Sequence, residues 1–201
     1  MDYDYSNVSE YEKSFLPDGF QGNVYNISYK WLQFIPESSE PLMIMEIGAY
    51  HGANVCSYMK TYAKHPKTEV HVVDPWFDYN GYNEYQTKQS TNYSTFMNNI
   101  SKLDPKDLDK IYLHRGLSEN IVPIFKNESY DIIYIDGNHE IRYVIEDCVL
   151  CFKKIKKGGW IIIDDMHDND VNKGVRIFLE GYLSYFELVA IHNGQLFMRR
   201  V

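Results

Sequence analysis

The sequence predicts an α/β fold built on an open, mostly parallel β-sheet. Apolar runs such as LMIMEIG, TEVHVVD, DIIYID and WIIIDD are too short for buried helices and suit central strands. Helically spaced segments separate them, as right-handed strand, helix, strand units require. The closing stretch FELVAIHNGQLFMRR then reads as two strands joined at His192-Asn193-Gly194, a terminal hairpin on the sheet.

At 201 residues the chain has the length of one ordinary domain, and we read 1–201 as a single domain with 1–40 as a helical N-terminal extension. Neither a basic leader followed by an apolar stretch nor an apolar run near the roughly 20 residues of a membrane helix is present, so a soluble cytoplasmic protein without membrane contact is expected. Three cysteines, Cys56, Cys148 and Cys151, lie in apolar patterns and read as buried thiols. The net charge of -8, from 28 acids against 20 bases, disfavours a nucleic-acid partner. Lys153, Lys154, Lys156 and Lys157 form a local cluster that reads as a solvated helix end.

Taken in order, Val24, Ile27, Trp31 and Phe34 have the spacing of one helical face over about three turns, stopped by Pro36 and the ESSE segment. After the LMIMEIG strand, GANVCSYMKTYAK predicts a helix with Val55, Tyr58 and Met59 inward, and TEVHVVD a second strand closed by Asp74. From Trp76 to about Asn99 the chain is least patterned. It carries Trp76, Phe77, Tyr79, Tyr82, Tyr85 and Tyr93, and reads as a long loop leading to a short helix around Thr95 to Ser101. Those aromatics either pack over the sheet edge or wall a substrate pocket.

IYLHRG reads as the third strand, with Ser118 placed to cap a short helix that Pro123 limits. DIIYID is the fourth. EIRYVIEDCVLCFKKIKKGG has the strongest helical pattern, with Ile141, Val144 or Ile145, Cys148, Phe152 and Ile155 on one face and Gly158 suited to its C-terminal cap. WIIIDD is the fifth strand, and Val171 to Leu179 supports one more helix.

Open sheets bind ligands beyond the C-terminal strand ends, where Glu46, Asp74, Asp136 and Asp164 all emerge. In MEIGAYHGANV, Gly48 and Gly52 allow close backbone approach, although the run is neither GxGxxG nor a phosphate loop. A carboxylate at Asp74 can accept both hydroxyl hydrogens of a ribose, or cap a helix. Asp136, Asp164 and Asp165, with His139 three residues after Asp136, could form an oxygen-rich magnesium site with a base beside it. As structural alternatives, Asp136 and Asp164 could cap helices, and Asp165, Asp168 and Asp170 could be an acidic loop. His139 could equally ligate a metal, support a ligand or be a surface histidine, and His167 is a reserve base or an outer neighbour of the metal.

From about Leu42 to Asp168, roughly two thirds of its length, the chain resembles class I S-adenosylmethionine-dependent methyltransferases. More narrowly, it resembles the divalent-metal-dependent O-methyltransferases typified by macrocin and mycinamicin sugar methyltransferases. The resemblance rests on EIGAYHG, HVVDPW, DGNH and IIIDD, in that order. It implies a Rossmann-like sandwich with a mostly parallel seven-stranded sheet and an antiparallel C-terminal strand. It also implies that Glu46 and the turn of Gly48, Ala49, Tyr50 and Gly52 hold the methionine end of the donor, that Asp74 binds its ribose, and that Leu117 and Ser118 border its adenine. Asp136 would lie near the donor and, with Asp164 and Asp165, would ligate magnesium, with His139 as base. The implied acceptor is a sugar or another small polyhydroxylated molecule. A nicotinamide-dependent enzyme, a noncatalytic S-adenosylmethionine-binding module and a nucleic-acid cap methyltransferase are the alternatives. The apolar segment around Trp31 either covers the sheet or contributes to a homodimer.

Overall fold

The computed structural model of the chain describes residues 8–79 and 86–201. Tyr82 and Tyr85, two of the loop aromatics, lie outside the described residues. Two compact units can be distinguished: Met1–Leu42, Ala49–Val70 and Trp76–Tyr112 form one, and Met43–Gly48, His71–Pro75 and Leu113–Val201 the other.

In the first unit, α1 (Glu10–Lys13) is held by a capping box in which Ser9 and Glu12 satisfy each other's backbone N–H. The expected three-turn helix from Val24 is instead a 3₁₀ helix over Ser28–Gln33. The Ser28 N–H donates to Asn54 Oδ1 at 2.8 Å and its hydroxyl to Ser57 Oγ at 2.8 Å, so side chains of the next helix take the groups that a longer helix would use. The apolar spacing still serves burial, since Ile27 and Trp31 are buried and Trp31 packs on Tyr58 and Tyr62. Helix α2 (Ala53–Tyr58) has Val55 and Tyr58 inward as predicted, but ends earlier, in turns. Helix α3 (Gln89–Ile100) begins about a turn and a half before the expected Thr95, and is followed by α4 (Pro105–Leu108), capped by Asp104. Among the described aromatics, Trp76 is fully buried against Phe96 and Tyr93, while Phe77 is exposed.

Seven strands form one sheet: β1 (Met43–Ile47), β2 (Glu69–Asp74), β3 (Ile111–Arg115), β4 (Tyr130–Ile135), β5 (Ile155–Ile163), β6 (Phe186–His192) and β7 (Gln195–Arg200), in the order β3-β2-β1-β4-β5-β7-β6. β4 pairs in parallel with β1 and β5, whereas β7 runs antiparallel to both β5 and β6. The hairpin turns on Asn193 and Gly194, both left-handed at φ 50° and 77°, the two-residue geometry that matches strand twist.

The second unit's core lies on one face of this sheet. Met45, Ile47, Ile133, Ile135, Ile161, Ile163, Leu196 and Met198 point there and meet Val144, Cys148 and Cys151 of α6 (Ile141–Lys154) and Val171, Val175 and Phe178 of α7 (Asn169–Tyr182). Alternate residues Ile44, Ile132, Ile162 and Phe197 are buried as well, which explains why these strands read as continuous apolar runs.

In the second unit, two further expectations from the sequence are corrected. Helix α6 stops at Lys154, and Gly158 lies within β5 at φ 79°, beside a register shift in the β4–β5 pairing. The cause is Lys154, whose ammonium is buried and donates to the carbonyls of Pro123 and Phe125 and to Asn127 Oδ1. Lys156 pairs with Asp131 at 2.8 Å, so these two lysines anchor the chain rather than decorating a solvated end. Ser118 is likewise not a cap: α5 (Ser118–Ile121) starts after Leu117 with no side-chain capping bond, and the Ser118 hydroxyl turns to α6.

Candidate functional site

The strand ends of the second unit are tied side by side through the backbone. Gly48 N–H donates to the Val73 carbonyl, Gly116 to Asp74, Asp136 to Ile47 and Asp164 to Ile135, all at 2.8–3.1 Å. Each strand therefore fixes where its neighbour's last residue emerges. Glu46, Asp74, Asp136 and Asp164 are brought to one edge by this ladder, as the acid-terminated runs predicted. Gly48 (φ 80°) is required for it: a Cβ there would stand 1.8 Å from the Asp136 carbonyl oxygen.

Beyond β4 and β5, three side chains converge. Asp136, His139 and Asp165 each present a ligand atom, and these atoms lie within 4.8 Å of one another. His139 Nε2 is 3.2 Å from Asp165 Oδ2 and 4.0 Å from Asp136 Oδ1, and all three side chains are part-exposed. His167 Nε2 approaches the other oxygen of Asp165 at 3.5 Å but is largely exposed. Although its side chain is part-exposed, loss of water around the carboxylate pushes Asp136 up to about 7; the nearby His139 imidazole opposes the rise, and the negative neighbours Asp164 and Asp165 add to it.

Asp164 is placed differently. It is buried, and the Tyr134 hydroxyl donates to its Oδ2 at 2.7 Å, with Asp136 Oδ2 3.3 Å from the same hydroxyl. Gln195 Nε2 donates in turn to the Tyr134 oxygen at 3.4 Å. Burial first, then the surrounding carboxylates, push the Tyr134 phenol well above its ordinary range, so it remains a donor at neutral pH. Tyr134 and Gln195 were not singled out from sequence. The available signal was Tyr134 two residues before Asp136, on the same side of the strand.

The remaining expected donor residues fall in both units. Glu46 and Asp74 are buried at the ends of β1 and β2. Leu117 and Ser118 follow β3 and are half-buried. In the first unit, Ala49 is buried, while Tyr50 (φ 46°) is exposed, stacks on His51 and accepts the Trp76 indole N–H at its carbonyl. Gly52 (φ 81°) lies against Phe96, where a Cβ would meet the ring at 2.8 Å.

Comparison with known proteins decides the family. Residues 45–166, more than half of the chain, match the family model described as "Methyltransferase domain". The chain belongs to this methyltransferase family. A relative, protein R132 of Acanthamoeba polyphaga mimivirus, is 26% identical over 170 residues, 82% of this chain and 71% of that protein. Among solved structures, the O-methyltransferase NovP superposes with a TM-score of 0.59 at 16% identity, covering 80% of this chain and 72% of its own. CalS11, a TDP-rhamnose 3′-O-methyltransferase of calicheamicin biosynthesis, gives a TM-score of 0.52 at 17% identity, over 79% of this chain and 72% of its own. These likenesses show the Rossmann-like methyltransferase fold. Among the described residues, no helix is long and apolar enough to cross a membrane.

Proposed function

We propose that this methyltransferase moves the methyl group of S-adenosylmethionine to a hydroxyl of a sugar or other small polyhydroxylated acceptor, with a divalent cation, magnesium in the first instance, at the Asp136–Asp165 cluster. The observation that carries the reading is the convergence of Asp136, His139 and Asp165 beyond the C-terminal ends of β4 and β5 in a chain of this family. The sugar reading is supported by the fold shared with CalS11, whose own acceptor is a TDP-rhamnose.

The donor set fits a hard divalent cation, since Asp136 and Asp165 offer two part-exposed carboxylates and such cations complete their shells with water or other oxygens. Such a cation supplies orientation of the acceptor and a lower pKa for its hydroxyl. The Tyr134 hydroxyl that donates to Asp164 also lies 3.3 Å from Asp136 Oδ2, beside the cluster. The His139 imidazole takes the hydroxyl proton as the oxygen attacks the methyl carbon. The carbon–oxygen bond forms, the carbon–sulfur bond breaks, and S-adenosylhomocysteine leaves. Glu46, Asp74 and Gly48 hold the donor in line, with Leu117 and Ser118 beside the adenine.

A second reading has one specific support. His139 Nε2 belongs to the same 4.8 Å cluster as the two carboxylates, so it could ligate the cation directly, leaving His167 as the base. Electron spin-echo spectroscopy of the Mn²⁺-loaded protein separates the two, because nitrogen modulation lost in His139→Ala assigns a ligand and its absence assigns the base. The function itself is tested with methyl-labelled S-adenosylmethionine and a panel of nucleotide sugars and catechols, with and without Mg²⁺. Cation-dependent label transfer to a hydroxyl supports the proposal, and none across the panel with a binding-competent protein counts against it.

A further inference from the structure

One buried acid takes no part in this chemistry. Asp147 lies on α6 among the apolar residues Val144, Cys148 and Cys151, and is only 2% exposed. Its one side-chain hydrogen bond among the described residues comes from the Ser118 hydroxyl, which donates to Oδ1 at 2.5 Å. Its other oxygen lies under Gly137, where an added Cβ would come within 3.0 Å of Oδ2. Asp147 thus reaches from the helix to the segment after β3 and abuts the loop after β4.

This placement is costly and does nothing for packing. Burial pushes the Asp147 carboxyl up to about 7, and Glu146 and Glu119 add to the rise. An apolar residue would fill the α6 face without that cost. What the carboxylate does provide is a direction for the half-buried Ser118 hydroxyl: with its proton committed to Asp147, Ser118 Oγ can offer only lone pairs to whatever lies in front of it.

We propose that Asp147 is a positioning residue for donor recognition, fixing Ser118 as a hydrogen-bond acceptor so that the site selects the 6-amino group of adenine over a 6-oxo purine. The inference rests on the reading of Leu117–Ser118 as the adenine border. A purine that presents an oxygen there meets lone pairs with lone pairs, and a mismatch of this kind costs a site more than a missing methylene does.

The test is calorimetric titration, at about pH 8 where the carboxylate form prevails, of S-adenosylhomocysteine and its 6-oxo analogue S-inosylhomocysteine. The wild type is expected to prefer the adenine compound by about tenfold or more. Asp147→Leu and Ser118→Ala should each bring the ratio to within about twofold, and Asp147→Leu should change it no further in a Ser118→Ala background. Asp147→Asn, which keeps a carbonyl acceptor and guards against a misfolded leucine variant, should retain most of the preference. Equal weakening of both ligands by Asp147→Leu, with the ratio intact, would mean a purely structural acid and overturns the inference. Failure of the wild type to bind S-adenosylhomocysteine at all would instead overturn the donor reading, and this inference with it.

Discussion

Asp147 makes a stability prediction that needs no ligand. Its carboxyl is raised from 3.8 to about 7 in the folded chain, so between those values the native state binds a proton that the unfolded chain has released. The contribution is fully present below about pH 4 and is lost as pH rises through about 7. At about 1.4 kcal/mol per pKa unit, a displacement of about three units corresponds to roughly 4 kcal/mol, of which about 2 to 3 kcal/mol falls between pH 5 and 8. Asp147→Asn is nearly isosteric, keeps an acceptor for Ser118 and cannot ionise. Urea denaturation of wild type and variant at pH 5 and pH 8 should therefore show the variant gaining about 2 to 3 kcal/mol on the wild type over that interval. A difference that stays constant with pH would refute the reasoning, because it would mean that Asp147 ionises in the folded chain as readily as in water.

Other substitutions separate packing from chemistry. Gly48→Ala should lower stability by at least about 2 kcal/mol, since the added carbon meets the Asp136 carbonyl and φ is 80°, whereas Gly181→Ala in α7 meets nothing within 4 Å and should gain about 0.5–1 kcal/mol; thermal melts compare them. Asp136→Asn and Asp165→Asn should each weaken Mn²⁺ binding about tenfold or more by isothermal titration while leaving S-adenosylhomocysteine affinity within a few-fold; equal loss of both ligands would reject a cation role. Lys154→Met removes the donor shared by the Pro123 and Phe125 carbonyls and Asn127 Oδ1, and should cost about 2 to 4 kcal/mol in urea denaturation.

The fold was legible where burial on both faces of the sheet imposes a continuous apolar run, as in β1, β4 and β5, and where turn chemistry is specific, as at Asn193-Gly194. Boundaries set by tertiary partners were not. Nothing local distinguishes Lys154 from Lys153, yet one ammonium finds three oxygens and ends the helix there. The same holds at Ser28, whose backbone N–H is claimed by Asn54 from 26 residues away. At the candidate site, the strand-end rule located Asp136 and Asp164, but side-chain direction separates them: Asp136 joins His139 and Asp165, while Asp164 turns to Tyr134. Asp147 was legible in retrospect, as an acid three residues after Val144 and four before Cys151 on the apolar stripe of α6.

The most direct test of a donor-dependent methyltransferase is calorimetric titration of the metal-free protein with S-adenosylmethionine, repeated with magnesium and with Asp74→Ala. Saturable binding by the wild type, lost or strongly weakened in Asp74→Ala, is the predicted result. A folded wild-type protein that takes up no S-adenosylmethionine, with or without magnesium, would contradict it.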